Sequence, residues 1–451
     1  KPCVIYGDVF RANILIKHYF WNPAIFIPSA TMDIKYNFHM RLFCSLLLLG
    51  FLSNSAWSDP QYNLQDLIDI AKRENPILDV LKAKEDAAMS SVVTAESYLN
   101  PEIEVGTGPS RFRTPNSSAN QRRNYGVNIS QPLEFPNVRG AKKAVAESRV
   151  NYASSVTEAT MINLSLQIKK AFYDVLQNEA VFKIAEGDRD ALKNIREKVA
   201  LRVEVGEAPR YELIKADTEL IAAQRDADAA LLRISESKFY LRGLVSKSLT
   251  ASFGLVGSLP PSDINLNADL LKNEITKSPK LKQIKASADI AENRLRLEEK
   301  LINPGLTLNA GVDQDPDITS YRFGISIPIP IWNRRQGQIG EAAAGYRELQ
   351  AQYTDQELAL KRDIESAFQR YLIAQQQVKT FESGLLEQAE SVLKVAESAY
   401  RYGERGILEY LDAQRTFRLV RKDYLASKYD YVVAILEIEQ LLGMDILENK
   451  I

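Results

Sequence analysis

The chain has 451 residues, of which 45% are hydrophobic and 25% are charged, and its formal net charge at pH 7 is −1. This length corresponds to about three domain-sized units of ordinary folded composition. The near-neutral balance of charge excludes a nucleic-acid-binding protein that depends on bulk positive charge. Both cysteines and both histidines precede residue 45. The rest of the chain therefore lacks the residues of Ser-His-Asp and Cys-His catalytic sites, zinc fingers, iron–sulfur clusters and disulfides.

The amino-terminal part of the chain has the pattern of a removable leader. Residues 1–39 show no clear periodicity, and we interpret them as a non-native upstream extension. Residues 40–58 combine a positive charge at Arg41, an apolar core over 42–52 and a small-x-small cleavage pattern at 56–58. The apolar run is too short to cross a bilayer as a helix. We therefore predict a secretory signal peptide at 40–58.

The remainder of the chain contains one pattern twice. Short segments recur in the same order: Pro76 and Pro101 as Pro279 and Pro304, Tyr125-Gly126-Val127 as Phe323-Gly324-Ile325, Ala171-Phe172 as Ala367-Phe368, and 206–216 as 403–413. The stretch 246–262 between the two copies is rich in Gly, Ser and Pro, which is typical of a linker. We predict two repeats, 59–255 and 256–451.

Each repeat predicts the same series of elements. It begins with a helix that a proline interrupts, at Pro76 or Pro279. Two strands follow, because apolar residues then alternate with small or polar ones. The four predicted strands contain 102–105, 125–133, 306–312 and 321–331.

A very long helix follows the strands in each repeat. It is predicted from Gly140 to Val205 and from Gly340 to Tyr402. Sixty-odd helical residues measure about 90–100 Å. A short turn, which begins at Gly206 or Gly403, then reverses the chain into a return helix.

These elements predict an α+β fold, with mostly long α-helices and four β-strands per chain. Four strands cannot close a barrel, and the smallest outer-membrane barrels have eight. Three chains would supply twelve strands, and their long helices would form a tube. The apolar stripe from Phe323 to Ile331 would then face lipid, with Trp332 at the membrane interface. Arg322 and Ser326 would face the lumen.

This architecture resembles the TolC-type outer-membrane efflux proteins over residues 61–445. The segment FGISIPIPIWNRRQG at 323–337 resembles their heavy-metal branch, the cobalt–zinc–cadmium (CzcC-like) channels. The resemblance implies a homotrimer in the outer membrane of a Gram-negative bacterium, with a twelve-stranded β-barrel continued into the periplasm by an α-helical barrel. It also implies a periplasmic adaptor, or membrane fusion protein, and an inner-membrane RND pump as partners. No cofactor, bound metal or enzymatic activity is implied.

The resemblance assigns roles to residues at the two turns. Gly206 and Gly403 would let the chain reverse and form the groove that contacts the adaptor. A purely structural interpretation is that both glycines terminate helices, which a turn requires in any case.

The same resemblance places a periplasmic gate beside the second turn. Glu409 and Asp412 are three residues apart on one helix face, and they align with the family's acidic ring at the closed entrance. Arg405 aligns with an arginine that ties the closed aperture together, and Glu212 is the equivalent of Glu409 in the first repeat. A solvated helix face would explain these charges equally well.

The leading hypothesis is a passive exit duct for divalent metal cations in a tripartite efflux system. The same duct could instead serve drugs or type I protein secretion. A further alternative is a periplasmic structural coiled-coil protein, which explains the helices but leaves the strands unexplained.

Overall fold

The computed structural model describes residues 60–110 and 122–447. The predicted upstream extension and signal peptide lie outside these residues. Within the described ranges, no helix combines the length and the apolar character needed to cross a membrane.

The first repeat folds as two short helices, a hairpin and a helical pair. Its elements are β1 (Gln61–Tyr62), α1 (Leu64–Glu74), α2 (Ile77–Glu96), β2 (Glu102–Ser110), β3 (Arg122–Leu133), α3 (Pro136–Glu204), α4 (Arg210–Val245) and β4 (Gly254–Leu255). The short strands β1 and β4 pair in parallel and join the start of this repeat to its end.

The second repeat follows the same order. Its elements are α5 (Ala268–Asn273), a 3-10 turn (Ile275–Lys277), α6 (Pro279–Lys300), β5 (Leu306–Gln314), β6 (Thr319–Ser326), α7 (Gln336–Thr380), a π-helical turn (Phe381–Leu385), α8 (Leu386–Arg401) and α9 (Ile407–Leu442). The predicted repeat of helices, hairpin and long helical pair is confirmed.

Local sequence explains where the first helices begin and end. Asn63 caps α1: its side chain accepts a hydrogen bond from the Asp66 amide, while the Asp66 carboxylate accepts one from the Asn63 amide. The predicted interruption at Pro76 is confirmed, because α1 ends before it and α2 begins after it. Pro279 is the first residue of α6, a position where its missing N–H is not needed.

The four long strands form one antiparallel sheet that unites the repeats. The order is β2-β3-β5-β6, so that the two hairpins lie side by side. One row of residues crosses all four strands, from Val105 to Val127, Val312 and Tyr321. The four predicted strands are therefore present, and the sheet has its two free edges at β2 and β6.

The prediction that the last strand extends to Ile331 is wrong, since β6 ends at Ser326. Pro328 and Pro330 have no N–H to donate to a ladder. The partner strand also ends at this point. Thr307 pairs with Ser326, and β5 begins only one residue before Thr307. The alternation of apolar residues continues beyond the strand without hydrogen-bonded pairing.

The long helix of the first repeat is continuous, whereas that of the second is interrupted. Helix α3 has 69 residues and passes through Gly187 without a break. In the second repeat Gly384 has φ +152°, within the π-helical turn between α7 and α8. The sequence offset, which is the difference in residue number between equivalent positions of the two repeats, explains this difference. It is 196 residues at Ala171/Ala367 but 197 at Gly187/Gly384, so one extra residue has been accommodated at a kink, where Gly384 has a non-helical backbone conformation.

A buried ion cluster joins the two repeats and fixes the end of the described chain. The Lys169 Nζ of α3 lies 3.2 Å from Glu439 Oε2 of α9 and 2.5 Å from Asp445 Oδ2. Glu439 also accepts hydrogen bonds from the amides of Ile446 and Leu447, at 2.6 and 2.8 Å. Burial raises the pKa of Glu439 against the opposing effect of the Lys169 charge.

Candidate functional site

One face of the sheet is apolar and exposed. Ten large apolar side chains on it are between 41% and 85% exposed: Ile103, Val105, Tyr125, Val127, Ile129, Leu308, Val312, Tyr321, Phe323 and Ile325. The strand register aligns them in rows across the sheet. A contiguous apolar surface of this kind marks contact with a membrane or a partner.

The opposite face of the sheet carries glycines and polar side chains. Gly126 lies opposite Asp313, and the Asp313 carboxylate forms an ion pair with Arg322. A Cβ at Gly126 would lie 2.6 Å from Asp313 Oδ1, so the Asp313 carboxylate would have to rotate to make room for any larger residue. The sheet is therefore two-sided, with one lipid-compatible face and one polar face.

The two turns that join the long helices have the same backbone structure. At the first turn Gly206 has φ +82°, its amide donates to Val203 O, and the Glu207 amide donates to Arg202 O at 2.8 Å. At the second turn Gly403 has φ +75°, its amide donates to Tyr400 O, and the Glu404 amide donates to Ala399 O at 2.9 Å. Both are Schellman caps, in which the residue with positive φ is usually glycine.

The chain re-enters a helix four residues after each of these glycines. Pro209, with φ −71°, precedes α4, and Gly406, with φ −74°, precedes α9. The difference in sequence therefore leaves the backbone path unchanged, because proline fixes φ near the value that both turns use.

The predicted gate residues lie on the second turn and on the helices that follow both turns. Glu409 is in the first turn of α9, and its carboxylate lies 3.6 Å from Arg405 Nη1. Asp412 follows three residues later on the same side, and both carboxylates are exposed. Glu212 is half-buried in the first turn of α4. In the described part of the chain, no hydrogen bond or ion pair connects Glu212 with the other three residues.

A contact between the two turns escaped the sequence analysis. The Arg202 guanidinium, at the end of α3, lies 5.2 Å from the centre of the Tyr400 ring, at the end of α8. Tyr400 in turn stacks on Tyr410 of α9, with ring centres 5.8 Å apart. Below them lies a small apolar core made of residues from α3, α4, α8 and α9, among them Val199 and Ile407. No local sequence signal connects Arg202 with Tyr400, since they belong to different repeats.

The described residues contain no group of three or more His, Cys, Asp or Glu side chains arranged to hold a metal ion. What the structure offers is two surfaces: an apolar sheet with open edges, and a pair of charged helical turns at the far end of the long helices.

Comparison with known proteins identifies the family. The family model "Outer membrane efflux protein" matches the chain twice, over residues 67–245 and 270–444. Each match covers most of one predicted repeat.

Individual relatives are distant but extend over nearly the whole chain. The cobalt-zinc-cadmium resistance protein CzcC of Cupriavidus metallidurans is 24% identical over 385 residues, which cover 84% of this chain and 90% of that protein. The outer membrane protein TolC of Vibrio cholerae is 22% identical over 422 residues, covering 88% and 93% respectively. The crystal structure of CusC superimposes with a TM-score of 0.72 at 17% identity, covering 87% of this chain and 95% of CusC.

Proposed function

This chain belongs to the outer membrane efflux protein family, and we propose that it is the exit duct for divalent metal cations in a tripartite efflux system. As a member of the family it is an outer-membrane efflux channel that extends into the periplasm, and its family is one of channels rather than of enzymes. The observation that carries the channel function is that a sheet with one apolar face, one polar face and two free edges is joined to helices about 100 Å long.

The sheet supports a homotrimer. One chain supplies four strands, and the free edges at β2 and β6 expose unpaired backbone groups. Lipid cannot satisfy those groups, so β2 of one chain would pair with β6 of the next. Three chains give a closed barrel of twelve strands. The apolar face, with Phe323 and Val105, would then face lipid, and Arg322 with Asp313 would face the water-filled interior.

The turns support docking of a periplasmic adaptor. Gly206 and Gly403 give the two turns one shape, so a trimer would present six equivalent tips to its partner. That adaptor would connect the channel with an inner-membrane RND pump. The exposed carboxylates of Glu409 and Asp412 would surround the entrance, where three copies would favour cations over anions.

The metal assignment rests on the similarity to the cobalt-zinc-cadmium resistance protein. Zinc binds Asp and Glu oxygens as well as nitrogen and sulfur ligands, and the predicted gate supplies such carboxylates without a closed metal site. A cargo that passes through must not be held tightly, so dispersed carboxylates suit a duct.

Removal of the gene tests the cargo. If the duct carries divalent metals, the deletion strain loses tolerance to zinc, cadmium or cobalt, and a plasmid copy of the gene restores it. Tolerance to a panel of drugs is measured in parallel, because the distant similarity to TolC extends over the same part of the chain. Unchanged metal tolerance together with new drug sensitivity would contradict the metal assignment and leave the channel in place.

A further inference from the structure

A groove between α4 and α9 lies next to the predicted gate. It has a volume of about 450 Å³, and residues of α3 such as Ile184 and Asp188 form its floor. On α4 the groove follows the side of the helix that carries Glu212, because Glu219 and Arg233 come 7 and 21 residues later.

The α9 wall of the groove likewise consists of residues that come shortly after a predicted gate residue, Asp412, along the helix. Arg415, Leu419 and Lys422 line it, and they follow Asp412 by 3, 7 and 10 residues on a neighbouring stripe of the helix. If Asp412 and Glu212 line the pore, the groove opens into the same pore and begins about one helical turn from Asp412 and about two from Glu212.

The groove carries more positive than negative charge. Five cationic and three anionic side chains line it: Arg225, Arg233, Arg415, Arg418 and Lys422, and Asp188, Glu219 and Asp226. Each of the three carboxylates already has an arginine within 3.5 Å. In the described chain, Arg233, Arg415 and Lys422 form no ion pair. Three cations therefore stand around one cavity without an opposite charge.

Arg418 adds a donor that the protein leaves unused. Its side chain is 16% exposed, and one of its terminal nitrogens, Nη2, donates to Glu219 Oε2 at 3.0 Å. Its Nε is buried, and within the described residues it has no hydrogen-bond partner. A buried N–H without an acceptor destabilises the protein, and because this atom has almost no accessible surface, a ligand oxygen reaches it only after the Arg418 side chain changes its rotamer.

We propose that this groove binds a small polycarboxylate anion. Arginine and lysine pair with carboxylates through strong charge-assisted hydrogen bonds. Arg415 and Lys422 are seven residues apart on one helix, or about 10 Å along its axis. Their charged ends meet on one tetrahedral oxyanion only if both side chains bend toward each other, whereas a molecule with a carboxylate at each end contacts both side chains in extended conformations.

This inference rests on the proposed function and gives its cargo a chemical form. Polycarboxylates chelate divalent cations. The acidic gate would attract the free metal cation, and the basic groove beyond it would hold a polycarboxylate that ligates the cation there.

The test uses citrate as the probe and the detergent-solubilised full-length protein. Isothermal titration calorimetry measures citrate binding to the wild type, to Arg415→Gln with Lys422→Gln, and to a control with Arg347→Gln and Lys379→Gln. The control removes two exposed cations of α7 that also form no ion pair in the described chain. We expect citrate to bind the wild type and the control equally, and the groove variant at least about tenfold more weakly.

Two results would overturn the inference. One is the absence of citrate binding, or the same affinity in the groove variant; the other is inorganic phosphate binding as tightly as citrate, which would make the groove a general anion site. Both groove side chains are exposed, and their exchange leaves no ion pair of the described chain broken. Conductance of the same preparation is measured separately in planar bilayers. A protein that conducts ions but does not bind citrate would contradict this inference without contradicting the proposed function.

Discussion

Single residues shape the two turns, and Gly403 is the one whose conformation is most demanding at the second turn. Its φ of +75° is unfavourable for any residue with a Cβ, although nothing lies within 4 Å of the place where that Cβ would be. Gly403→Ala should therefore destabilise the protein by about 1 kcal/mol through backbone strain alone. Thermal unfolding followed by circular dichroism measures the effect.

Gly406 provides the matched control, three residues further along the same turn. Its φ is −74°, and the nearest atom to an added Cβ is Glu409 Oε2 at 3.9 Å. Gly406→Ala should leave the unfolding temperature unchanged or raise it slightly. Equal destabilisation by both substitutions would show that the turn is sensitive to bulk and not to backbone conformation.

The carboxylates of the second turn predict an electrical property of the pore. Replacing Glu409 and Asp412 by alanine should lower the preference of the channel for cations over anions, because their negative charge would no longer attract cations to the entrance. Reversal potentials in planar bilayers under a salt gradient measure this preference. The control replaces Glu387 and Glu390 by alanine, another pair three residues apart, on α8. The gate assignment is wrong if the two double variants change selectivity alike.

At the scale of elements, the kink at Gly384 between α7 and α8 predicts an asymmetry between the repeats. Deleting Gly384 removes the extra residue and should give one unbroken helix whose two parts keep their packing faces, as in α3. Deleting Gly187 from α3 instead turns the rest of that helix by about 100° and should disrupt its packing against α4. Assembly and unfolding temperature of both deletions are compared with the wild type. Equal damage from the two deletions would contradict the insertion account.

The elements also show what can be read from the sequence. Alternation of apolar and small residues predicted the strands, because period two is a local property, and Gly206 and Gly403 marked both turns for the same reason. The alternation misled at Ile331, because apolar periodicity does not reveal that prolines and the end of a partner strand stop the pairing. The change of offset from 196 to 197 residues can be read from the sequence, but only the structure shows that the extra residue is accommodated at a kink at Gly384.

Contacts between the repeats lay beyond such local reasoning. The Arg202–Tyr400 contact and the ion pair between Lys169 and Glu439 join residues of different repeats, and each partner alone has an unremarkable sequence context. For the same reason, the roles of Glu409, Asp412, Arg405 and Glu212 stay predictions, since a pore is a property of several chains. The groove between α4 and α9 could not be predicted from the sequence either, because residues of three helices line it.

At the scale of the whole molecule, the surfaces of one chain are incomplete. An apolar sheet face with two open edges is stable neither in water nor, as a single sheet, in lipid. Helices α3 and α4, of 69 and 36 residues, expose apolar side chains such as Leu201, Ile221 and Leu232 and likewise call for neighbours. Assembly of several chains satisfies both needs at once, and the strand count favours three.

The mass of the assembled particle tests that trimer most directly. Outer membranes are separated, the protein is extracted with detergent, and the particle is weighed by native mass spectrometry. We expect a detergent-dependent particle with three times the mass of the processed chain, located in the outer membrane. A monomer or dimer that is released without detergent would contradict the closed twelve-stranded barrel, and the long helices would then belong to a periplasmic coiled coil.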